Sequence, residues 1–388
     1  MELLTCIMDC HTIIPMLADR LSQLNPYKPG EQPSDREYIK LNANENPYPP
    51  PESVADAINW LLTSSRAKLG LYPDPDSTKL REAIAKHLNQ TGGVLASEKA
   101  AEDLHYTITS DMIYCGNGSD EVLSFLYYAF FNNDAPLITP EFSYSFYPVY
   151  AGFYNIQLKK VPLKADFSLD VEGMLADADK STGMLFANPN APTGIALSRK
   201  EIRGMLERFP KDRVFVVDEA YADFGTESVL PLLTDFPNLV VVRTFSKSLS
   251  FAGMRMGYIV ANPELIRAVT TVKNSVNHFP ADIICQTAAA AACASTAWFR
   301  GTTVSIVTTR DEFRNSLIGA GWEVLPSQTN FVFARKPGKT GREVYEAVKE
   351  QGILIRHFDI PGISDFVRIT IGTPDQMQLL LEVMESIK

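Results

Sequence analysis

The sequence predicts an α/β fold, with one large domain built on a mostly parallel sheet flanked by helices and a smaller α+β domain after it. In the middle of the chain, short apolar runs alternate with segments of helical periodicity, which is typical of parallel sheets. From roughly residue 300 onward, a separate series of helical and strand patterns follows. The 388 residues, 45% of them hydrophobic, are sufficient for two cores of this kind.

An extended segment precedes the first predicted helix. Residues 26–51 are rich in proline, asparagine and charge, and the prolines exclude a long helix there. Helical periodicity begins in ESVADAINWLL and continues in STKLREAIAKHL. We therefore expect an N-terminal arm over residues 1–48, followed by the large domain.

Four apolar runs in the large domain, residues 49–280, predict buried strands. They are Pro136–Ile138, Met184–Phe186, Val214–Val217 and Leu239–Val242. A helix is predicted over Ser198–Phe209, because a capping box of Ser198 and Glu201 opens it. The small domain, residues 281–388, is predicted from the segments TTRDEFRNSLIGAG, TNFVFAR, EVYEAVKEQ and FVRITIG.

The composition argues against several classes of partner and location. A net charge of −10, with acidic residues spread along the chain, argues against nucleic acid or an anionic membrane as the main partner. No apolar run reaches 18 residues and the N-terminus lacks a basic region, so we expect neither a membrane span nor a signal peptide. The cysteines are odd in number and form no C-x-x-C pair, which predicts a reduced, cytoplasmic protein without a disulfide scaffold. They are Cys6, Cys10, Cys115, Cys285 and Cys293.

Polar residues follow three of the predicted strands at their carboxyl ends. The strand RVFVV leads into Asp218–Tyr221, LVVVR leads into Thr244–Ser248, and GMLFA leads into Asn188–Gly194. Ligands of open α/β sheets bind beyond the carboxyl ends of the strands. We therefore expect these three clusters to share one crevice.

The residue types in these clusters suit one kind of cofactor chemistry. A lysine such as Lys247 can form a Schiff base with an aldehyde, and an acid behind a pyridine ring can keep its nitrogen protonated. An asparagine and a tyrosine can both hydrogen-bond a phenolate oxygen. Serines, Arg255 and the backbone N–H groups of the turn Cys115–Glu121 can hold a phosphate at a helix N-terminus.

Several common motifs are absent from the sequence. The turn Gly116–Gly118 lacks the further glycine of a dinucleotide fingerprint, and Phe333 stands where a P-loop ending at Gly338–Thr340 would need glycine. The five histidines show no metal-binding spacing, and no G-x-S-x-G occurs. We therefore expect no metal site.

In their order along the chain, these motifs resemble those of the fold-type I pyridoxal-phosphate enzymes, specifically the class I and II aminotransferases. The resemblance runs from about residue 36 to the end and implies a seven-stranded sheet with pyridoxal 5'-phosphate as cofactor. Within this family, the sequence is most similar to the histidinol-phosphate aminotransferases. The matching segments are LNANENPYPP, YPDP with LREAIA, GNGSDE, NPNAPTG, VVDEAYADF, RTFSKSLSFAGMRMGY, PSQTNFVFAR, and ILIRHF with FVRITIGT.

The resemblance implies roles for the residues around the cofactor ring. Lys247 would bind the cofactor covalently and move a proton between the substrate and the cofactor, and Asp218 would pair with the pyridinium nitrogen. Tyr221 and Asn188 would contact the ring oxygen. Tyr144 would stack on the ring, with Phe142 as the alternative.

The resemblance also implies a set of phosphate contacts and a second subunit. The cofactor phosphate would be bound by Gly118, Ser119, Asp120, Thr244, Ser246 and Arg255. Tyr72 would reach this phosphate from a neighbouring subunit, so we expect a homodimer with twofold symmetry. The N-terminal arm would pack on the small domain and on the partner subunit.

For the substrates, the resemblance implies a second group of residues. Arg368 would bind the α-carboxylate, because a guanidinium matches a planar carboxylate, and Arg356 would bind a phosphate or a side-chain carboxylate. Tyr27, Asn330 and Asn44 would complete the pocket.

The reaction implied by the resemblance is reversible transamination. It would interconvert L-histidinol phosphate and imidazole acetol phosphate, with glutamate and 2-oxoglutarate as the second pair, in histidine biosynthesis. A threonine-phosphate decarboxylase and an aromatic amino acid aminotransferase remain alternatives, because they share nearly all of these motifs. A transcription regulator with this fold is disfavoured by the charge and by the absence of a DNA-binding module.

Overall fold

The computed structural model describes residues 17–27, 29–92 and 106–387. The predictions for the first 16 residues, including the absence of a signal peptide and the state of Cys6 and Cys10, lie outside the described part of the chain. The remaining cysteines, Cys115, Cys285 and Cys293, are buried free thiols.

Thirteen strands lie in the described part of the chain and are numbered here in chain order. They are β1 (Ile39–Lys40), β2 (Ile113–Asn117), β3 (Leu137–Pro140), β4 (Leu158–Val161), β5 (Gly183–Ala187), β6 (Val214–Asp218), β7 (Leu239–Thr244), β8 (Met256–Ala261), β9 (Glu323–Val324), β10 (Phe331–Arg335), β11 (Ile353–Leu354), β12 (Arg356–His357) and β13 (Val367–Thr370).

The helices of the described residues are numbered in the same way. They are α1 (Glu52–Ser64), α2 (Thr78–Thr91), α3 (Gly118–Phe130), α4 (Tyr147–Tyr154), α5 (Val171–Leu175), α6 (Arg199–Arg208), α7 (Pro263–Val276), α8 (Ile283–Ala294), α9 (Thr296–Gly319), α10 (Gly341–Glu350) and α11 (Pro374–Ser386). None of them has the length and apolarity that crossing a membrane requires.

The large sheet has seven strands in the order β2-β8-β7-β6-β5-β3-β4. Strand β8 runs antiparallel to β2 and β7, whereas the other neighbours pair in parallel. Every residue of β5, β6, β7 and β8 is buried, because helices cover both faces of the sheet. The predicted α/β class and the mostly parallel seven-stranded sheet are therefore confirmed.

The predicted capping box is present at the start of α6. The Ser198 side chain accepts from the Glu201 backbone, and the Glu201 carboxylate accepts from the Ser198 backbone. These reciprocal bonds satisfy two N–H groups that a helix start leaves without partners. Helix α6 follows β5 and precedes β6, so it forms the crossover connection between these two parallel strands.

A second, smaller sheet carries the C-terminal part of the fold. Strands β12, β13, β10 and β9 pair antiparallel in that order, and β13 lies directly between β12 and β10. The N-terminal arm joins this region because β1 pairs in parallel with β11 and the Arg36 guanidinium donates to the Lys349 carbonyl at 2.7 Å.

The packing of α8 bears on where the two domains meet. Cys285, Ala288 and Cys293 on this helix belong to the hydrophobic core that also contains Phe186 and Val217 of the large sheet. The core of the smaller sheet instead includes Ile306, Phe313 and Leu317 of α9. The division at residues 280 and 281 stays a prediction, although this packing favours a boundary further along the chain.

Candidate active site

A cavity of about 200 Å³ lies where the arm, the strand ends of the large sheet and the smaller sheet meet. Arm residues close one side, and Phe358 with its neighbours on the smaller sheet closes another. Seven of the predicted site residues line it: Tyr27, Asn44, Tyr144, Tyr221, Lys247, Arg356 and Arg368. The cavity therefore brings together side chains that are separated by more than half of the sequence.

Lys247 follows β7, and its amine reaches the cavity from the large sheet. The Nζ atom lies 3.3 Å from the Ala43 carbonyl oxygen and 5.8 Å from the centre of the Tyr221 ring. Its turn is fixed from the arm, since the Asn46 amide donates to the carbonyls of Lys247 and Ser248 at 3.0 and 3.2 Å. The lysine thus has a fixed backbone, and its amine makes a long hydrogen bond to the arm.

Asp218 is the last residue of β6, and its carboxylate is almost fully buried. Its Oδ1 accepts from the Ala220 backbone N–H at 3.1 Å, and its Oδ2 accepts from the Tyr147 hydroxyl at 2.8 Å. Burial raises the pKa of Asp218 to about 6, although both hydrogen bonds lower it. A cationic partner would therefore be strongly favoured beside this carboxylate.

Tyr221 is oriented by Asn44, which the arm contributes. The Asn44 amide donates to the Tyr221 hydroxyl at 2.9 Å, so the tyrosine keeps its own proton for a ligand. Thr370 holds Asn44 through two hydrogen bonds of 2.9 and 3.1 Å. Asn330 donates to the Asn44 carbonyl at 3.0 Å and is fully buried, so it supports Asn44 instead of lining the cavity as predicted.

The structure argues against the predicted role of Asn188. Its Oδ1 accepts from the Leu197 backbone N–H at 2.7 Å, and its Nδ2 donates to the Leu197 carbonyl at 3.1 Å. The side chain is fully buried and does not line the cavity. The Asn188 side chain therefore fixes the conformation of the loop after β5. Ala191 and Pro192 of this loop line the cavity.

The start of α3 lies against Arg255 and forms a cup suited to an anion. Gly118 has a φ of +76°, which favours glycine, and a Cβ atom there would lie 2.4 Å from the Arg255 Nη2 atom, so the guanidinium would have to move. The Arg255 guanidinium pairs with Asp120 at 3.0 Å. Backbone N–H groups at a helix start together with a guanidinium are well suited to bind phosphate.

The other predicted phosphate contacts converge on the same cup. The Ser246 backbone N–H donates to the Thr244 hydroxyl at 3.1 Å, and Thr244 lies opposite Gly257 in the sheet. A Cβ atom on Gly257 would lie 2.3 Å from the Ser119 backbone nitrogen. The glycine therefore lets the start of α3 approach the strands that carry Thr244 and Ser246.

Tyr144 connects this cup with the cavity. Its hydroxyl donates to Asp120 at 2.7 Å, and its ring lines the cavity beside Lys247. The alternative, Phe142, packs in the hydrophobic cluster of Leu325 and Phe366. This placement favours Tyr144 as the ring next to a bound cofactor.

The two predicted substrate arginines stand opposite each other on neighbouring strands. Arg356 of β12 pairs in register with Arg368 of β13, which directs both side chains to the same face of the sheet. The Phe358 ring centre lies 5.4 Å from the Arg356 guanidinium carbon and 5.5 Å from that of Arg368. Arg368 donates to the Asn42 carbonyl at 3.1 Å, while its buried Nε has no hydrogen-bond partner among the residues that the structure describes.

Of the two remaining predicted tyrosines, Tyr27 lies at the cavity and Tyr72 lies outside it. Tyr27 lines the cavity, and its ring centre is 5.0 Å from that of Phe146. Tyr72 lies outside the cavity, is 83% exposed, and stacks on Phe279 with ring centres 4.6 Å apart.

Comparison with known proteins identifies the family. Residues 36–384 match the family model described as aminotransferase class I and II. The chain belongs to this family. A histidinol-phosphate aminotransferase of Syntrophus aciditrophicus is 49% identical over 95% of this chain and 97% of its own length. A second, from Gluconacetobacter diazotrophicus, is 44% identical over 94% of this chain and 96% of its own length. The predicted family resemblance is thus confirmed.

Solved structures show the same fold as this class I and II aminotransferase. The histidinol-phosphate aminotransferase of Sinorhizobium meliloti, in complex with pyridoxal-5'-phosphate, is 25% identical and superimposes with a TM-score of 0.80. It covers 98% of this chain and 100% of its own. The Thermus thermophilus aspartate aminotransferase with maleate reaches 0.78 at 19% identity over 96% of this chain and 99% of its own.

Sequence reasoning missed two parts of this aminotransferase site. Tyr147 bonds Asp218, although the aromatic segment SYSFY gave no sign of which tyrosine would do so. Arg243 is buried between Glu219 and Asp223, and Asp223 accepts from the Ser248 hydroxyl at 2.5 Å. This buried ionic network links the residue after Lys247 to the turn after β6. The acidic residues Glu219 and Asp223 in the segment VVDEAYADF could have indicated this network.

Proposed function

We propose that the protein is a histidinol-phosphate aminotransferase, which interconverts L-histidinol phosphate and imidazole acetol phosphate in histidine biosynthesis with glutamate and 2-oxoglutarate as the second pair. The observation that carries this proposal is the cavity that Lys247, Arg356 and Arg368 line together. The relatives with 49% and 44% identity support the choice of substrate.

The charge of the cavity fits substrates with anionic ends. Burial and the neighbouring charge of Arg356 lower the pKa of Arg368, which means that its cationic form is insufficiently compensated. An anion that accepts from the Arg368 Nε, which has no partner in the described part of the chain, would relieve this cost. Glutamate carries two carboxylates for the two arginines, and histidinol phosphate carries a phosphate for Arg356.

We also propose pyridoxal 5'-phosphate as the cofactor. The cup of Gly118 and Arg255 fits a phosphate, and the buried Asp218 fits a protonated pyridine nitrogen. Lys247 would attach the cofactor through its amine, and the Tyr221 hydroxyl would donate to the ring oxygen. When bound, the cofactor supplies an electron sink for the negative charge that develops at the substrate Cα.

The residues of this chain would orient the substrate and move its proton. Arg368 would hold the α-carboxylate of glutamate, and Arg356 would hold the distal carboxylate or the phosphate. Once the substrate amine has displaced it from the cofactor, the free Lys247 amine would remove the proton from the substrate Cα and deliver it to the cofactor C4′. The arm closes the cavity over these groups and limits access of water, since Tyr27 and Gly30 line it.

A substrate panel tests the proposed reaction. With glutamate as donor, we expect rapid conversion of imidazole acetol phosphate and little conversion of phenylpyruvate. Release of carbon dioxide from threonine phosphate without formation of 2-oxoglutarate would contradict transamination and indicate the decarboxylase. Preference for phenylpyruvate would indicate an aromatic aminotransferase.

We further propose that the enzyme is a homodimer in which Tyr72 contacts the partner's cofactor phosphate. Tyr72 is exposed, and Leu71 and Val276 are exposed apolar residues as well. A species that sediments as a monomer at full activity would contradict this proposal. The cytoplasmic location stays a prediction from the cysteine pattern.

A further inference from the structure

Tyr147 stands directly beside the carboxylate that would bind the cofactor ring. It is the first residue of α4 and only 1% exposed. Its hydroxyl donates to Asp218 Oδ2 at 2.8 Å. Its carbonyl accepts from the Tyr127 hydroxyl at 3.1 Å, and its N–H donates to the Tyr144 carbonyl at 3.1 Å, so its backbone is fixed on both sides.

The groups around Asp218 act on its ionisation in opposite directions. Burial, Asp120 on α3 and Glu219 on the following turn raise the pKa of Asp218, whereas the Tyr147 hydroxyl and the Ala220 N–H lower it. Among the side chains with the largest effects on the pKa of Asp218, Tyr147 is the one that donates a hydrogen bond to it. Tyr150, one helical turn further along α4, donates to the Asp120 carbonyl instead.

Tyr147 remains a neutral donor under all working conditions. Burial and the adjacent Asp218 raise the pKa of its hydroxyl well above the usual value. A neutral donor stabilises a carboxylate without introducing a cation that would compete for it. Asp218 therefore stays available for a positively charged ligand on its remaining lone pairs.

We propose that Tyr147 is a positioning residue that holds Asp218 ionised and oriented toward the pyridine nitrogen of the cofactor. The inference rests on the proposed cofactor site. The ring of Tyr147 also packs edge-on against Tyr144, with centres 5.5 Å apart at 85°. One aromatic residue thus contacts both the group expected behind the cofactor ring and the group expected on its face.

Replacement of Tyr147 by phenylalanine tests the proposal, because it keeps the ring and removes the hydroxyl. The matched control is Tyr154→Phe on the same helix, which removes a hydroxyl bonded to Ser124 at 2.7 Å. The free energy of unfolding of the cofactor-free proteins is measured between pH 4 and pH 8. Tyr147→Phe is expected to raise the pH at which Asp218 titrates by about one unit, and the control is expected to leave it unchanged.

The same variant in an Asp218→Asn background separates this role from packing. There Tyr147→Phe should have the same effect at every pH, because the titrating carboxylate is gone. A uniform loss of stability in the Asp218 protein, or an equal shift in Tyr154→Phe, would overturn the inference.

The cofactor-loaded proteins supply the second readout. Without the Tyr147 hydroxyl, Asp218 is a stronger base and draws the shared proton away from the ring nitrogen. The ring then carries less positive charge, so the pH midpoint of the visible absorption band should rise in Tyr147→Phe. We expect kcat to fall about tenfold with KM for glutamate changed less than about twofold. Absence of any visible band in the unaltered enzyme would overturn the proposed function, whereas a bound cofactor with an unchanged midpoint in Tyr147→Phe would overturn only this inference.

Discussion

Arg356 and Arg368 lie side by side in the cavity, yet the two substrates should depend on them differently. Glutamate has an α-carboxylate for Arg368, and histidinol phosphate has none. Arg368→Ala should therefore slow the half-reaction with glutamate about 10- to 100-fold, the range expected for a charged hydrogen bond, and slow that with histidinol phosphate much less. Single-turnover measurements of the two half-reactions check this.

Arg335 offers a control for the loss of an arginine from the same sheet. It lies on β10 and pairs with Glu323 at 2.7 Å, and both side chains are substantially exposed. Arg335→Ala should leave both half-reactions unchanged. Equal losses with the two substrates in Arg368→Ala would contradict the assignment of the α-carboxylate to Arg368.

The buried carboxylate of Asp218 should affect stability in the cofactor-free protein. Its pKa is about 6 in the folded state and near 3.8 in the unfolded chain, so folding favours the protonated form. The unfolding free energy should therefore decline between pH 4 and pH 6, by roughly 3 kcal/mol from this group. Asp218→Asn should remove this decline, whereas Asp134→Asn on the surface should retain it. A curve unchanged in Asp218→Asn would contradict the burial argument.

At the scale of elements, the cup depends on the close approach of α3 to β8. A Cβ atom on Gly257 would meet the Ser119 nitrogen and the Gly118 carbonyl carbon at 2.3 and 2.4 Å, and both belong to the backbone. Gly257→Ala should displace the helix start, weaken binding of pyridoxal phosphate at least about tenfold and lower stability by about 1–3 kcal/mol.

Gly204 provides the matched control for this prediction. It lies within α6, and a Cβ atom there would meet nothing within 4 Å. Gly204→Ala should leave cofactor binding intact and stabilise the helix by about 0.5–1 kcal/mol. Titration of the cofactor into both variants, with unfolding curves, checks the pair. Normal cofactor affinity in Gly257→Ala would show that the close approach is not required.

The strands and helices could be predicted from the sequence because apolar runs, helical periodicity and capping residues are local features of the chain. The four buried runs became strands β3, β5, β6 and β7, extended or shifted by one or two residues at one or both ends. Strand ends are set by the ladder partners and loops around them, which a single sequence does not reveal. The convergence of Lys247 and Tyr221 was predictable, since parallel strands end at one sheet edge.

The parts of the site that escaped prediction depend on tertiary packing. Asn188 has the right residue type, but its amide is engaged by the Leu197 backbone, nine residues further along the chain. Tyr147 reaches Asp218 because α4 packs in the same hydrophobic cluster as Val216 of β6. Neither contact follows from spacing or periodicity, and both require the path of the loops.

At the scale of the whole molecule, the exposed Tyr72 predicts that each site needs two subunits. Tyr72→Ala and Lys247→Ala should each be nearly inactive alone, because each lacks one component of every site. Refolded together, they should form mixed dimers in which one site has both residues, and recover about a quarter of full activity. Absence of recovery, with mixed dimers demonstrated by sedimentation and mass spectrometry, would contradict a contact between subunits.

Attachment of the cofactor to Lys247 is the claim on which the whole account depends. The direct measurement is borohydride reduction of the protein loaded with pyridoxal phosphate, followed by proteolysis and mass spectrometry of the peptides. We expect one reduced cofactor per chain, on the peptide that contains Lys247, and none in Lys247→Ala. Labelling at another lysine, or a protein that binds no cofactor, would contradict the account.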